Sequence, residues 1–267
     1  MHNSVGFIGS GNIASAIIAG AIKSGYIMPN KIYIYDLDVA KSEKLSIYGI
    51  NVCETTKQLL DNCQFVFLTV KPQVYGAVLN EIKPFITAEK CLVDVGAGVT
   101  IKFVKDTIGF DCKVIRVMPN TPLMYSMGAT ALVKELPVSD DDFEFIKGFF
   151  DANGITCVVK EDLIDAITGV SGSSPAFVFR FAREMIRAAV DNSMPADDAK
   201  KMVLQTILGS VIMMQQSELS LDELIKMVAS PNGTTEAGLK SMDETNFDGA
   251  VYNAVDSAVK RSHELKR

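Results

Sequence analysis

The residues with the clearest chemical meaning lie near the start of the chain. In Val5-Gly6-Phe7-Ile8-Gly9-Ser10-Gly11-Asn12-Ile13-Ala14, the pattern Gly9-x-Gly11-x-x-Ala14 follows an apolar, strand-like run and precedes a helix-like one. Glycine at 9 permits a tight turn, glycine at 11 lets backbone approach a pyrophosphate, and a small residue at 14 lets helix pack on strand. The helix N-terminus then offers free N–H groups and a partial positive charge to the phosphates. Taken alone, the glycines fit a plain strand-to-helix turn equally well. A second strand-like run narrows the choice, because it ends at Asp36, 22 residues beyond Ala14, where a carboxylate can take the hydroxyl pair of a ribose. Together these features predict a dinucleotide site. A carboxylate at 36 would repel the 2′-phosphate of NADP, so NADH is the expected cofactor; the alternative is that Asp36 or Asp38 only caps a helix beginning near Val39.

Four further segments invite a chemical reading. Val70-Lys71-Pro72 and Val95-Gly96-Ala97-Gly98 close two strand-like runs, at the strand ends where open α/β sheets bind ligands, though ordinary loop punctuation explains them too. Arg116-Val117-Met118-Pro119-Asn120-Thr121-Pro122 sets two prolines three apart, a stiff corner holding Asn120 and Thr121. Gly169-Val170-Ser171-Gly172-Ser173 invites comparison with a hydrolase nucleophile elbow, but no strand precedes it and its fifth residue is serine. It is expected to break one helix and start another, with Pro175 in the first turn. Ser230-Pro231-Asn232-Gly233-Thr234-Thr235-Glu236 precedes a helix-like run. It reads either as a helix start, with Gly233 and Glu236 spaced as cap and third residue, or as an anion cradle in which N–H groups around Gly233 to Thr235 hold a carboxylate beside two hydroxyls.

The elements that must carry these residues change character along the chain. Val5 to Ile8, Ile32 to Tyr35, Phe65 to Val70, Leu92 to Val95 and Val114 to Val117 are strand-like runs, most of them continuously apolar, with helical stretches at Asn12 to Lys23, Ala40 to Tyr48 and Gln73 to Ile82. That alternation predicts βαβ units and a parallel sheet buried on both faces. Shorter strands are expected at Ala129 to Val133 and Thr156 to Val159, with a helix near Asp141 to Phe150 between them. From residue 161 the pattern turns helical. Ala176 to Val190 and Ala199 to Met214 carry apolar residues on more than one face, which a segment of this size cannot bury alone, so a second subunit is expected to cover them. The predicted fold is α/β: a Rossmann-type, doubly wound, mostly parallel sheet over 1–160, then an all-α dimerisation domain over 161–267.

Composition sets the limits. The chain of 267 residues holds only two histidines, His2 and His263, which argues against a His-based triad or a His-rich metal site, and no metal is expected. A net charge of −6 without a basic block argues against a nucleic-acid partner. The five cysteines (53, 63, 91, 112, 157) are odd in number and lack a C-x-x-C, so neither a disulfide framework nor a zinc set is expected. Reduced thiols, no signal-like start and no long apolar run lead to the expectation of a cytoplasmic protein that does not engage a membrane.

Taken in order, Gly6-Phe7-Ile8-Gly9-Ser10-Gly11-Asn12-Ile13, Val70-Lys71-Pro72-Gln73, Arg116 to Pro122, Ser171-Gly172-Ser173-Ser174-Pro175-Ala176 and Ser230 to Thr235 resemble the motif set of the pyrroline-5-carboxylate reductases across nearly the whole chain. The resemblance implies the last step of proline biosynthesis, with hydride passing from NADH or NADPH to the C=N carbon of 1-pyrroline-5-carboxylate to give L-proline. It implies homodimers, in some members assembled as decamers. It also implies that Ile8, Gly9, Ser10, Gly11, Asn12, Ile13, Asp36, Thr56, Thr69, Val70, Lys71, Pro72, Val95, Gly96 and Ala97 contact the cofactor. Ser230, Gly233, Thr234 and Thr235 would form the substrate loop, with Glu218 near it and the Thr235 hydroxyl nearest the ring nitrogen. Ser174, Phe177 and Asn232 depart from the family's usual Gly, Tyr and Gly.

Two rivals are weighed against this reading. A β-hydroxyacid dehydrogenase would need a lysine as acid and base on the first helices of its second domain, and none occurs between Lys160 and Lys200. A catalytically silent dinucleotide sensor would need only the first half of the chain.

Overall fold

Eight strands form a single sheet in the order β3-β2-β1-β4-β5-β6-β7-β8. In chain order the elements are β1 (Val5–Ile8), α1 (Asn12–Lys23), β2 (Ile32–Tyr35), α2 (Val39–Leu45), β3 (Asn51–Val52), α3 (Thr56–Asn62), β4 (Phe65–Leu68), α4 (Tyr75–Ile82), β5 (Cys91–Asp94), α5 (Ile101–Ile108), β6 (Lys113–Met118), β7 (Gly128–Lys134), α6 (Asp140–Asp151) and β8 (Gly154–Val158). The helices that follow are α7 (Ile164–Ile167), α8 (Ser174–Asp191), α9 (Ala196–Gln216), α10 (Leu221–Val228), α11 (Thr234–Glu244) and α12 (Phe247–Glu264). The computed structural model describes residues 4–267, so His2 lies outside the described residues.

Strands β1, β4 and β5 are buried throughout, as expected for strands covered on both faces. Their side chains feed two cores, one on each side of the sheet. Phe7, Phe67, Ile115 and Phe149 belong to one, and Ile8, Leu68, Leu92 and Val114 to the other. All neighbouring strands run parallel except β6 and β7, which are antiparallel. The order reverses between β1 and β4, and in such sheets that switch point is where a ligand crevice opens beyond the strand ends. This is the Rossmann-type, mostly parallel architecture predicted from the alternating runs.

The sequence reading did not anticipate α3, α5 or the two-residue β3. It is corrected at Thr168–Ser173, where the chain does not break: this stretch is a π-helical turn, continuous with α7 before it and α8 after it. Pro175 lacks the N–H that would normally reach the carbonyl of Ser171. That carbonyl instead accepts from Asn120 Nδ2 at 3.3 Å.

The residue contacts group the chain into two compact units. The first runs to Ser173 and takes back Ser257–Arg267; the second is Ser174–Asp256. The sequence boundary at 160/161 instead marks where the strands end. Within the second unit only Ala182, Ala199 and Val203 are buried, whereas Phe179, Met202, Leu208, Ile212 and Met213 are exposed. A helical unit with so little interior has no core of its own.

Candidate active site

Gly9 follows β1 with φ +102°, and a side chain there would sit 2.7 Å from the Thr69 carbonyl oxygen. Only glycine fits both conditions. Thr69 fastens the loop, its hydroxyl donating to the carbonyls of Ile8 at 3.1 Å and Gly9 at 2.7 Å. Gly11 caps α1, and no side chain caps that helix end or adds an acid to its first turn. A first side-chain carbon at Gly11 would meet nothing within 4 Å. Open space directly above a 12-residue helix with uncommitted N–H groups fits an anion such as a pyrophosphate.

Asp36 stands at the end of β2, beside this loop. Its Oδ2 accepts from Ser10 N at 2.7 Å and Ser10 Oγ at 2.8 Å, and its Oδ1 accepts from Asp38 N at 2.9 Å. Burial alone would raise the carboxyl, but these donors and the Lys41 charge outweigh it and hold the pKa below the usual carboxylate range. Asp38 precedes α2 but makes no side-chain cap, so capping does not account for Asp36 or Asp38. Ser10, Gly11, Asn12, Ser15, Lys41 and Lys44 line a hollow of about 270 Å³ here. The two lysines were not singled out in the sequence.

The remaining predicted residues of the first unit divide. Val70 lies against Gly9, its Cγ1 3.0 Å from where a side chain would begin, while Lys71 is exposed and Pro72 half-buried at the turn into α4. Val95, Gly96 and Ala97 follow β5, with the Gly96 N–H on Asp94 Oδ1 at 2.8 Å. Thr56 is buried and its hydroxyl is committed to Glu81 at 2.7 Å.

Under the Val95–Ala97 loop lies a cluster that sequence reading missed. Asp94 is fully buried, and burial pushes its carboxyl up to about 7 against the pull of the Gly96 N–H, Tyr75 and Arg116. Arg116, 1% exposed, donates through Nη1 to Glu161 Oε1 at 2.8 Å, and the same oxygen accepts from Ile101 N at 2.8 Å. Asp94 Oδ2 and Arg116 Nη2 have no hydrogen-bond partner among the described residues. The signal available in the sequence was a single acid ending the apolar run Cys91-Leu92-Val93.

The threonine loop belongs to the second unit. Gly233 is the N-cap of α11, with no side-chain cap on that helix. Asn232 has φ +58°, and its N–H donates to Glu236 Oε2 at 2.7 Å. The Gly233 N–H turns back to the Ser230 carbonyl at 3.0 Å. Gly233 and Glu236 therefore do mark a helix start, with the glutamate reaching one residue further back than a capping box would. The first-turn N–H groups of Thr234 and Thr235 remain available to an anion. Glu218 is exposed between α9 and α10.

Comparison with known proteins gives consistent results. The family described as "Pyrroline-5-carboxylate reductase dimerisation" matches residues 161–265, and that described as "NADP oxidoreductase coenzyme F420-dependent" matches residues 4–98. The chain is 34% identical over 268 residues to the pyrroline-5-carboxylate reductase of Escherichia coli, covering 100% of both. Among solved structures it is similar to Plasmodium falciparum pyrroline carboxylate reductase with NADP bound, at TM-score 0.92 and 30% identity over 100% of both chains. It is similar also to the pyrroline-5-carboxylate reductase of Coxiella burnetii, at TM-score 0.90, 30% identity and the same coverage.

Proposed function

Because the chain belongs to the pyrroline-5-carboxylate reductase family, we propose that it reduces 1-pyrroline-5-carboxylate to L-proline, the final step of proline biosynthesis. The observation that carries this reading is that each unit has an uncapped helix start, the unobstructed one of α1 behind Gly11 in the first and that of α11 behind Gly233 in the second. One suits a pyrophosphate and the other a carboxylate. When bound, the reduced nicotinamide supplies the hydride.

The protein's own part is to bind, orient and stabilise. The turn from Ile8 through Gly9, Ser10, Gly11 and Asn12 to Ile13 holds the pyrophosphate, while Thr69 fixes its shape. Val70, Lys71, Pro72, Val95, Gly96 and Ala97 border the nicotinamide end. Ser230, Gly233 and Thr234 hold the substrate carboxylate, with Glu218 near the loop. The Thr235 hydroxyl hydrogen-bonds the ring nitrogen. A cyclic imine protonated on nitrogen accepts hydride at its C=N carbon and becomes the secondary amine, so no histidine is needed to move a proton.

Asp36 sets the cofactor preference. Its carboxylate, held ionised by Ser10 and Asp38, disfavours a 2′-phosphate and favours NADH. Thr56, whose hydroxyl is engaged by Glu81, would serve the adenine side through packing.

The exposed apolar faces of the second unit support a homodimer; a pentamer of such dimers follows from the family resemblance alone. The free thiols, four of them buried, suit a cytoplasmic setting, and no helix among the described residues is long and apolar enough to cross a membrane.

Side-by-side kinetics with NADH and NADPH on pyrroline-5-carboxylate, together with proline-dependent reduction of NAD+ at alkaline pH, test the proposal. Turnover with NADH favoured supports it. A protein that binds the cofactor yet is inactive in both directions is a sensor, not this enzyme.

A further inference from the structure

The last residues of the chain return to the first unit and settle on the loop after β5. Arg267 N donates to the Gly98 carbonyl at 2.8 Å, and Thr100 Oγ1 donates to the Arg267 backbone oxygen at 2.6 Å. Gly98 has φ +75°, and a side chain there would lie 2.6 Å from the Leu265 carbonyl oxygen. That position thus tolerates only glycine because of its backbone conformation and because the returning segment lies against it.

The returning segment is itself anchored at one place. Asp165, at the start of α7, accepts from Ser262 Oγ at 2.8 Å and pairs with Lys266 Nζ at 2.8 Å. The Asp165 side chain is 8% exposed and Ser262 is buried, while the Lys266 side chain is 31% exposed, so the contact is shielded on the side of the acid and the hydroxyl and reaches solvent through the lysine. From the opposite side, Glu161 holds Ile101 N and Arg116, fixing the far end of the same loop. Asp94 holds its near end through Gly96 N. Removing the returning segment would release Gly98 and Thr100, and Val99 N, which donates to the Gly96 carbonyl at 3.2 Å, would pass that slack back to Val95–Ala97.

We propose that Asp165, Ser262 and Lys266 form a clasp that presses Leu265–Arg267 onto Gly98 and Thr100 and thereby positions Val95–Ala97 for the nicotinamide end of the cofactor. The proposal rests on the reading of Val95–Ala97 as a nicotinamide contact. The clasp residues touch neither cofactor nor substrate in this scheme; they are positioning residues. Their effect is therefore selective. It weakens binding of the nicotinamide portion and leaves the adenosine diphosphate portion, held at Gly11 and Asp36, as it was.

Calorimetric titration of the full chain with NADH and, separately, with ADP-ribose reads this selectivity. Lys266→Ala breaks the clasp, and Arg267→Pro removes the N–H that reaches Gly98. Each is expected to raise the Kd for NADH about five- to tenfold, the scale of one net hydrogen bond, with ADP-ribose affinity unchanged. Lys266→Arg, which keeps a cation opposite Asp165, restores NADH binding. Ala97→Leu, which alters the loop directly, serves as the reference. If Ala97→Leu weakens NADH selectively but neither clasp variant does, the clasp proposal is wrong. If Ala97→Leu leaves NADH binding untouched, the reading of the loop fails and takes the clasp with it. Equal weakening of both ligands by the clasp variants would reduce the contact to a general structural one and also overturn the proposal.

Discussion

Ser10 gives both its backbone N–H and its hydroxyl to the same oxygen of Asp36, at 2.7 and 2.8 Å. The glycine turn after β1 and the acid ending β2 are therefore one unit. The carboxylate shapes the turn at the same time as it sets the charge that a cofactor ribose would meet. A substitution at Asp36 must alter both.

Asp36→Ser is expected to shift preference towards NADPH. Loss of the negative charge removes the repulsion of a 2′-phosphate and leaves Lys41 and Lys44 in the same hollow. The NADPH/NADH ratio of kcat/KM should rise by about tenfold or more, the scale of one charge-assisted contact. The turn should also loosen, so affinity for NADH falls. An unchanged ratio in steady-state kinetics would remove Asp36 from its proposed role.

Thr235→Ala should lower kcat/KM for the imine by roughly ten- to a hundredfold, corresponding to one hydrogen bond to the reacting ring. Thr235 opens α11 with Thr234, far in sequence from the dinucleotide turn, so NADH affinity should stay as it is. Equal kinetics in variant and wild type would contradict the assignment.

At Asn232, where the family usually has glycine, the left-handed backbone explains why asparagine is accepted. Asn232→Gly is expected to be close to neutral. Asn232→Val, β-branched at φ +58°, should cost roughly 1–3 kcal/mol of local strain and raise KM for the imine. A Val variant with wild-type KM and thermal stability would show that the loop does not need this conformation.

The buried Asp94 has a pH consequence with a definite sign. Its folded pKa of about 7 lies above the ordinary value of 3.8, so the folded state binds more protons between those values. Its contribution to stability is whole below about pH 4 and is lost as pH rises through about 7, on the order of a few kcal/mol across that window. Asp94→Asn cannot ionise and should flatten this part of the profile. Denaturant titrations at pH 4.5, 6 and 8 on both proteins check it; parallel profiles would refute the assignment.

Sedimentation should show a dimer or larger species at micromolar concentration. Ile212→Glu, on an exposed face of α9, should shift it towards monomer and lower thermal stability. A wild-type monomer with an intact melting transition would rule out the homo-oligomer.

The strands were legible because Val5 to Ile8 and Phe65 to Leu68 are apolar without interruption, a pattern that burial on both faces demands. The glycine turn and the threonine loop were legible because their backbone needs are written in residue type. Helices α3 and α5 were less so, being only seven and eight residues long. Yet each carries a threonine N-cap, Thr55 and Thr100, that the sequence did offer. The Asp94, Arg116 and Glu161 cluster was out of reach. Its members lie on separate elements, and only the assembled sheet brings them together. The π-helical turn was hidden for a similar reason, since Asn120 takes the Ser171 carbonyl from a distant corner.

The bond between Thr100 and Arg267 closes 167 positions of chain. On a ribosome, β1 to β8 can pair and bury their faces while every helix of the second unit is still unmade. The loop after β5 cannot take its final form until residues 265–267 have emerged. The nucleotide-binding half is thus completed only after the helical half has been made, and contacts of such long sequence separation are the slow ones. A nascent chain halted anywhere within the helical half would carry a complete sheet with one unfinished rim.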